Sequence, residues 1–294
     1  MLLNKRIPLK YLIKKIWIEL IITSSFILIA VVIEQTLHLH FKLPIAIPAF
    51  LGTSISLVLA FKLNQSYDRW WEARKIWGEI VNDSRSLVVQ LKNFSTNNDA
   101  IKRIAQRQMA WCFILSNDLR NKPFDSKLSK FFNKVEYDTL LQKKHKALHI
   151  IDLITADIQQ LNINESINQF QHMQLNTTVQ NLCASMGKSE RIKNTVFPKT
   201  YRLFLKLFIY LFISTLIISL SVHINWVFEA VLVILIVTPF LLLEKTALAI
   251  QDPFENKPTD TPTTAISKTI EENISELLSL PLNKKETEHN FYIL

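Results

Sequence analysis

Four apolar runs punctuate the chain, each close to the roughly 20 residues that cross about 30 Å of hydrocarbon. They cover residues 16–33, 43–61, 203–222 and 226–243. The second contains Ser and Thr but no charge, whereas Glu19, Lys206 and Glu229 interrupt the first, third and fourth. Runs of this length predict four membrane-spanning helices, paired by short links into two hairpins. The first is too long for the apolar region of a signal peptide and has no small-residue cleavage site after Ile33, so it reads as a retained helix. Ionisable groups are costly in lipid, and snorkelling or pairing near the span ends accounts for all three; a role in an ion path is the alternative.

Residues 62–202 hold no membrane-length run but keep helical periodicity. From the second span the pattern continues without a breaker through Trp70, Trp71, Ile76, Trp77, Ile80 and Val81 to about Asn93, so the spanning helix is expected to extend far beyond the bilayer. Ser95–Asp99 reads as a loop, Ala100–Leu119 as a helix and Asn121–Asp125, around Pro123, as a turn. Shorter helices are expected near 126–133 and 136–160. Asn164 is placed as the N-cap of a helix through Met186 that Gly187 ends. After the fourth span a proline-interrupted loop leads to Thr261 as cap and Pro262 as the opening of a helix to about Leu278, and 283–294 is a polar tail. The expected fold class is all-α: a four-transmembrane-helix membrane protein with a large helical cytoplasmic portion, taken as a single domain over 1–294 with a C-terminal cytoplasmic segment at 244–294.

Charge orients this arrangement. Lys5, Arg6, Lys10, Lys14 and Lys15 precede the first span, and Lys62, Arg69, Arg74, Lys75 and Arg85 follow the second. The link 34–42 has one lysine and the link 223–225 has neither Lys nor Arg, whereas Lys245, Lys257 and Lys268 follow the fourth span. Both termini and the middle segment are therefore expected on the cytoplasmic side. The net charge of +9 follows from this placement and calls for no nucleic-acid partner. Three glycines (Gly52, Gly78, Gly187) are too few for turn-rich β architecture or a glycine-rich nucleotide loop.

Chemistry-bearing motifs are scarce. There is no Walker loop, GxSxG or HExxH, so no enzyme is expected. His145 and His149 are spaced for a metal with Asp152 nearby, but they sit among lysines and a solvated face is the preferred reading. His38 and His40 read as a solvated outer link more than as pH sensors. No histidine falls inside a span, which argues against bis-histidine haem, and no cofactor is expected. Cys112 and Cys183 read as reduced residues in a reducing compartment. Trp70, Trp71 and Trp77, where the second helix leaves the membrane, read as interfacial anchors or packing residues. In the second span, Thr53, Leu57 and Phe61 share one helix face, which Asn64 and Asp68 continue. Such a face suits a narrow apolar constriction in a symmetric ring, and equally the packing of small polar residues between helices.

The stretch Asn64-Gln65-Ser66-Tyr67-Asp68-Arg69-Trp70-Trp71-Glu72-Ala73-Arg74-Lys75-Ile76-Trp77-Gly78, continuing to Asn82-Asp83-Ser84-Arg85, is very similar to the bestrophin family, especially its bacterial members. Ser116-Asn117-Asp118-Leu119-Arg120, Glu190-Arg191-Ile192 with Thr195 and Pro198, and Asp252-Pro253-Phe254 extend the resemblance over nearly the whole chain. It implies a homopentamer in the cell (inner) membrane, passing small inorganic ions along a central pore whose hydrophobic neck falls on Thr53, Leu57 and Phe61. Thr53 departs from the larger apolar residue usual there. A second, cytoplasmic constriction would fall near Ile167 and Phe170. Animal members bind calcium through an acidic cluster after the fourth span; here Asn256 and Lys257 interrupt the acids, so no tight calcium activation is expected, and Asp260 with backbone carbonyls leaves a weak site. The resemblance favours chloride and other anions, with a monovalent cation such as sodium as the alternative. A membrane scaffold or sensor with little conduction is the rival class, and no soluble partner is indicated.

Overall fold

The computed structural model describes residues 9–37, 43–195, 199–220 and 225–281. Among these the regular structure is helical throughout: α1 (Leu9–Leu37), α2 (Ala46–Phe94), α3 (Asn98–Leu119), a short 3₁₀ turn (Ser126–Phe131), α4 (Lys134–Gln142), α5 (Lys146–Ile163), α6 (Gln169–Asn194), α7 (Lys199–Leu220), α8 (Trp226–Gln251) and α9 (Thr263–Leu277). The flanking basic residues Lys5 and Arg6, the link histidines His38 and His40, Pro198, His223 and the polar tail lie outside the described residues.

The chain forms two compact units. The membrane unit comprises α1, α2 as far as Arg69, α7 and α8. Four of the helices are long and apolar enough to cross a bilayer: α1 over Ile16–Ile33, α2, α7 and α8. α1 packs on α8 and α7, and α7 on α8. Ile27, Val31, Ile55, Leu59, Ile213, Val233 and Val237 form its interior, while Trp17, Ile29, Phe50, Leu203 and Leu235 stay exposed. Extensive apolar exposure on helices of this length is what a hydrocarbon surrounding demands. Glu19 forms an ion pair with Lys245, the pairing that a charge near a span end requires. Glu229 is buried in the first turn of α8, where the helix dipole favours an acid.

The second unit runs from Trp70 to Thr195 and resumes at Asp252. α3 is its centre, packed against α5, α9, α6 and the 3₁₀ turn. Trp77, Leu87, Leu91, Ile104, Trp111, Leu115, Ile154, Leu182 and Ile270 fill the core. A buried ion cluster crosses it. Arg107 donates from Nη1 to Asp157 and from Nη2 to Glu136, both at 2.5 Å, while Arg103 grips Asp157 from a more exposed position.

As expected, α2 continues well past the apolar run, to Phe94, because nothing between Phe61 and Phe94 breaks a helix. Boundaries elsewhere differ. Asn164 is the C-cap of α5, and Asn168 caps α6 in a reciprocal box with Gln171. Gly187 lies inside α6, which continues to Asn194. The segment read as one helix over 136–160 is two, α4 and α5. Thr261 does not cap α9: Pro262 holds the cap position, and the buried Thr261 hydroxyl has no hydrogen-bond partner.

Candidate functional site

The stripe predicted on α2 is an exposed face of the membrane unit. Leu57 and Phe61 are 58% and 59% exposed, and Thr53 is exposed with them. The opposite positions, Ile55 and Leu59, are buried beside α7. Period 3.6 thus separates a face committed to the subunit interior from one left open. The hydroxyls of this span turn back on their own helix: Thr53 Oγ1 donates to the Ala49 carbonyl, Ser54 to Phe50 and Ser56 to Gly52, each at 2.9 Å. Beside the stripe an open apolar groove of about 480 Å³ is lined by Gly52, Thr53, Ser56, Phe212, Leu216 and Phe240.

Below Phe61 the exposed face becomes polar, with Asn64, Gln65 and Asp68. Both basic residues of this stretch are turned away from it. Lys62 is 1% exposed, beneath the Tyr201 ring (6.0 Å to its centroid) and within the field of Glu244. The Tyr201 hydroxyl donates to the Val58 carbonyl at 2.8 Å. Half-buried Arg69 donates from Nε to the Gln251 carbonyl at 2.9 Å. Glu244 and Tyr201 were not singled out by sequence reasoning, and Lys62 was read there only as a flanking positive charge. A lysine at the end of an apolar span carries the positive-inside signal whether it faces water or the interior, so pattern alone does not separate the two.

The two residues considered for a second constriction lie in different surroundings. Ile167 is 4% exposed and part of the second unit's core, while Phe170 is 79% exposed in the first turn of α6. Met173, one turn on, is also exposed.

The loop from Asp252 to Thr261 is where the resemblance noted in the sequence would put calcium, so its donors decide whether that ion suits this chain. Asp252 is bound by Lys193 at 2.7 Å and by the Phe254 amide, and Glu255 pairs with Lys257. Asp260 is fully buried; one oxygen accepts from the Lys257 amide at 2.9 Å, and the other has no hydrogen-bond partner. Burial pushes its carboxyl up to about 6, and the charges of Asp252 and Glu255 add to the rise. Its charge acts on the buried Arg120, whose guanidinium burial pushes down to about 10 against the opposing Asp260 charge. Arg120 itself donates to Thr264 Oγ1 at 2.5 Å. These residues do not fit calcium. Two of the three carboxylates are bound by lysines, and the third shares its surroundings with a guanidinium, whereas calcium wants several uncommitted oxygens.

Nor do the histidines make a ligand set. His145 Nδ1 accepts from the Leu148 amide at 3.2 Å, which leaves the proton on Nε2, 3.1 Å from Glu190. Among the described residues no group of three or more His, Cys, Asp or Glu is placed to hold a metal. Both cysteines are free thiols, Cys112 buried and Cys183 half-buried. Burial pushes the Cys112 thiol up to about 12, although Ser84 and Gln108 lie at 3.8 and 3.7 Å.

A family model described as "Bacterial/Fungal Bestrophin protein" matches residues 9–276. The voltage-dependent anion channel-forming protein alr2987 of Nostoc sp. is 30% identical over 258 residues, covering 84% of this chain and 83% of that one. The voltage-dependent anion channel-forming protein YneE of Escherichia coli K12 is 28% identical over 240 residues, covering 82% and 79%. Among solved structures, a bacterial bestrophin homologue from Klebsiella pneumoniae is similar with a TM-score of 0.84 at 26% identity, over 90% of this chain and 99% of that one.

Proposed function

This chain belongs to the bestrophin family of bacteria and fungi, a membrane family of ion channels and not of enzymes, and from that premise we propose that it assembles as a homopentamer around one central ion path. Five α2 helices line the path, and Thr53, Leu57 and Phe61 form its neck. The observation that carries this reading is the continuous exposed face of α2, apolar at Leu57 and Phe61 on a helix whose opposite face is sealed inside the subunit. A five-fold ring closes such a face on itself. A narrow apolar ring opposes ion passage by disfavouring water, and Thr53 makes its own level easier to wet. Phe170, with its side chain in the open, is the better placed residue for a second constriction; Ile167 is spent on the core.

The conducted ions are small and monovalent, and the names of the relatives support anions, chloride foremost. A cation path of the same fold is the second reading, favoured by the exposed Asp68 beyond the neck. The orientation places both termini in the cytoplasm and the protein in the cell membrane, on the distribution of lysine and arginine. The Asp252–Thr261 loop gives no donor set for calcium activation.

The test is the reversal potential of purified, reconstituted protein in a planar bilayer under a salt gradient, alongside the mass of the solubilised oligomer. Current from a pentamer, altered by Leu57→Ala, supports the channel. A pentamer without current overturns it and leaves the scaffold class ahead.

A further inference from the structure

We propose that Asp68 sets the charge preference of the ion path, acting as a ring of carboxylates that draws cations to one mouth of the neck and repels anions. This rests on the channel reading above and deepens its second form, the cation path.

Three observations converge on this residue. The first is its direction. At about 100° per residue, Asp68 projects within about 20° of Leu57 and lies between the directions of Leu57 and Phe61. It is on the neck stripe, about 10 Å beyond Phe61 along the helix axis. The second is the disposition of the charges around it. From Ala46 to Arg69 the α2 helix carries three charged residues: Lys62, Asp68 and Arg69. Lys62 is buried and Arg69 is held to the Gln251 carbonyl, so Asp68 is the exposed charge of this stretch. Lys62 and Arg69 are turned away from the stripe, and Lys75, the next basic residue in its direction, is paired with Glu72 at 2.8 Å.

The third concerns the hydroxyls. Thr53 commits its hydrogen to the Ala49 carbonyl. Its exposed oxygen therefore offers lone pairs, which suit water hydrogens or a cation, and no donor to an anion. Ser56 is committed in the same way to Gly52. The polar groups at the level of the neck thus agree in sign with the carboxylate below it.

Five such carboxylates around one axis raise the local cation concentration and lower that of anions, and low-dielectric walls strengthen the effect. Neck and ring divide the work: the apolar stripe sets how readily any ion passes, and Asp68 biases which sign arrives. The bias weakens with salt, because the Debye length falls from about 10 Å at 0.1 M to about 3 Å at 1 M.

The experiment measures reversal potentials of wild type, Asp68→Asn, Asp68→Glu and Leu57→Ala in planar bilayers under sodium chloride gradients, at low and at high mean salt. Asp68→Asn is expected to lower the cation-to-anion permeability ratio about ten-fold at low salt. Asp68→Glu retains the wild-type ratio, and the difference between wild type and Asp68→Asn closes at high salt. An unchanged reversal potential in Asp68→Asn, with Leu57→Ala still altering conductance, overturns the inference and leaves the channel standing. No current from any pentameric preparation overturns both. If Asp68→Asn does not assemble, the salt dependence of the wild-type ratio decides: a ratio independent of salt removes the fixed charge.

Discussion

Gly52 of α2 lets the Phe212 ring of α7 come so close that a Cβ at position 52 would stand 3.2 Å from its Cε2. Phe212 is itself nearly buried and meets Phe240 edge-on, with ring centroids 5.5 Å apart. The open apolar groove along the same ring leaves it room to yield by a few tenths of an ångström. Gly52→Ala is expected to be close to neutral, since the helix gains about 1 kcal/mol of propensity while the ring gives way slightly. Gly52→Leu should cost about 1–3 kcal/mol by overpacking. Thermal unfolding of the detergent-solubilised protein checks the order of the two variants.

The neck should respond to polarity in both directions. Leu57→Ala and Phe61→Ala remove apolar bulk from the exposed stripe and are expected to raise single-channel conductance several-fold. Thr53→Val removes the hydroxyl at nearly constant volume and should lower it, because a fully apolar level is harder to wet. Recordings from reconstituted protein in symmetric salt distinguish these outcomes. Conductance indifferent to all three would place the constriction elsewhere.

Stability of the second unit should depend sharply on Arg107 and weakly on Arg103, although both reach Asp157. Arg107 is buried, so Arg107→Ala leaves Asp157 and Glu136 facing an emptied site and should cost about 3–5 kcal/mol. The Arg103 side chain is 46% exposed, and Arg103→Ala should cost under about 1 kcal/mol. Melting temperatures of the two variants, measured side by side, provide the comparison.

The Asp260 carboxyl predicts a pH dependence of definite sign. Its value in the folded protein is about 6, above the ordinary 3.8, so the folded state holds the proton more tightly than the unfolded state. Its contribution is therefore fully favourable below about pH 4 and is lost as pH rises through about 6, a change of up to about 3 kcal/mol per subunit. Asp260→Asn removes this titration. The stability of the variant relative to wild type should accordingly rise between pH 4 and 6 and level off above, as read by thermal unfolding across that range. A constant difference across those pH values would mean that Asp260 titrates normally.

Long, strongly patterned features were legible in the sequence. The four spans, the continuation of α2 and the open stripe at Thr53, Leu57 and Phe61 follow from periodicity that nothing interrupts. The cap of α6 is expected at Asn164 but lies at Asn168, since both precede helical pattern. Gln171, three residues after Asn168, was the discriminating signal, and no such partner follows Asn164. Gly187 misled because one glycine inside a helix costs only about 1 kcal/mol, less than the packing that surrounds it. The inward turn of Lys62 and Arg69 depends on Tyr201, Glu244 and Gln251, far away in sequence, and no local pattern encodes such partners. Asp68 was visible on the stripe, but that Lys62 and Arg69 turn away from it required the fold.

The contrast between the two thiols has a practical side. Cys112 is fully buried, and the same burial pushes its thiol well above the usual range, so reagents do not reach a thiolate there in the folded protein, which leaves half-buried Cys183 as the native attachment point for a probe. Replacing Cys183 alone should give a chemically silent background. Cysteines placed one at a time along α2, beginning with Leu57→Cys, would then report by their labelling rates which faces of the helix water reaches.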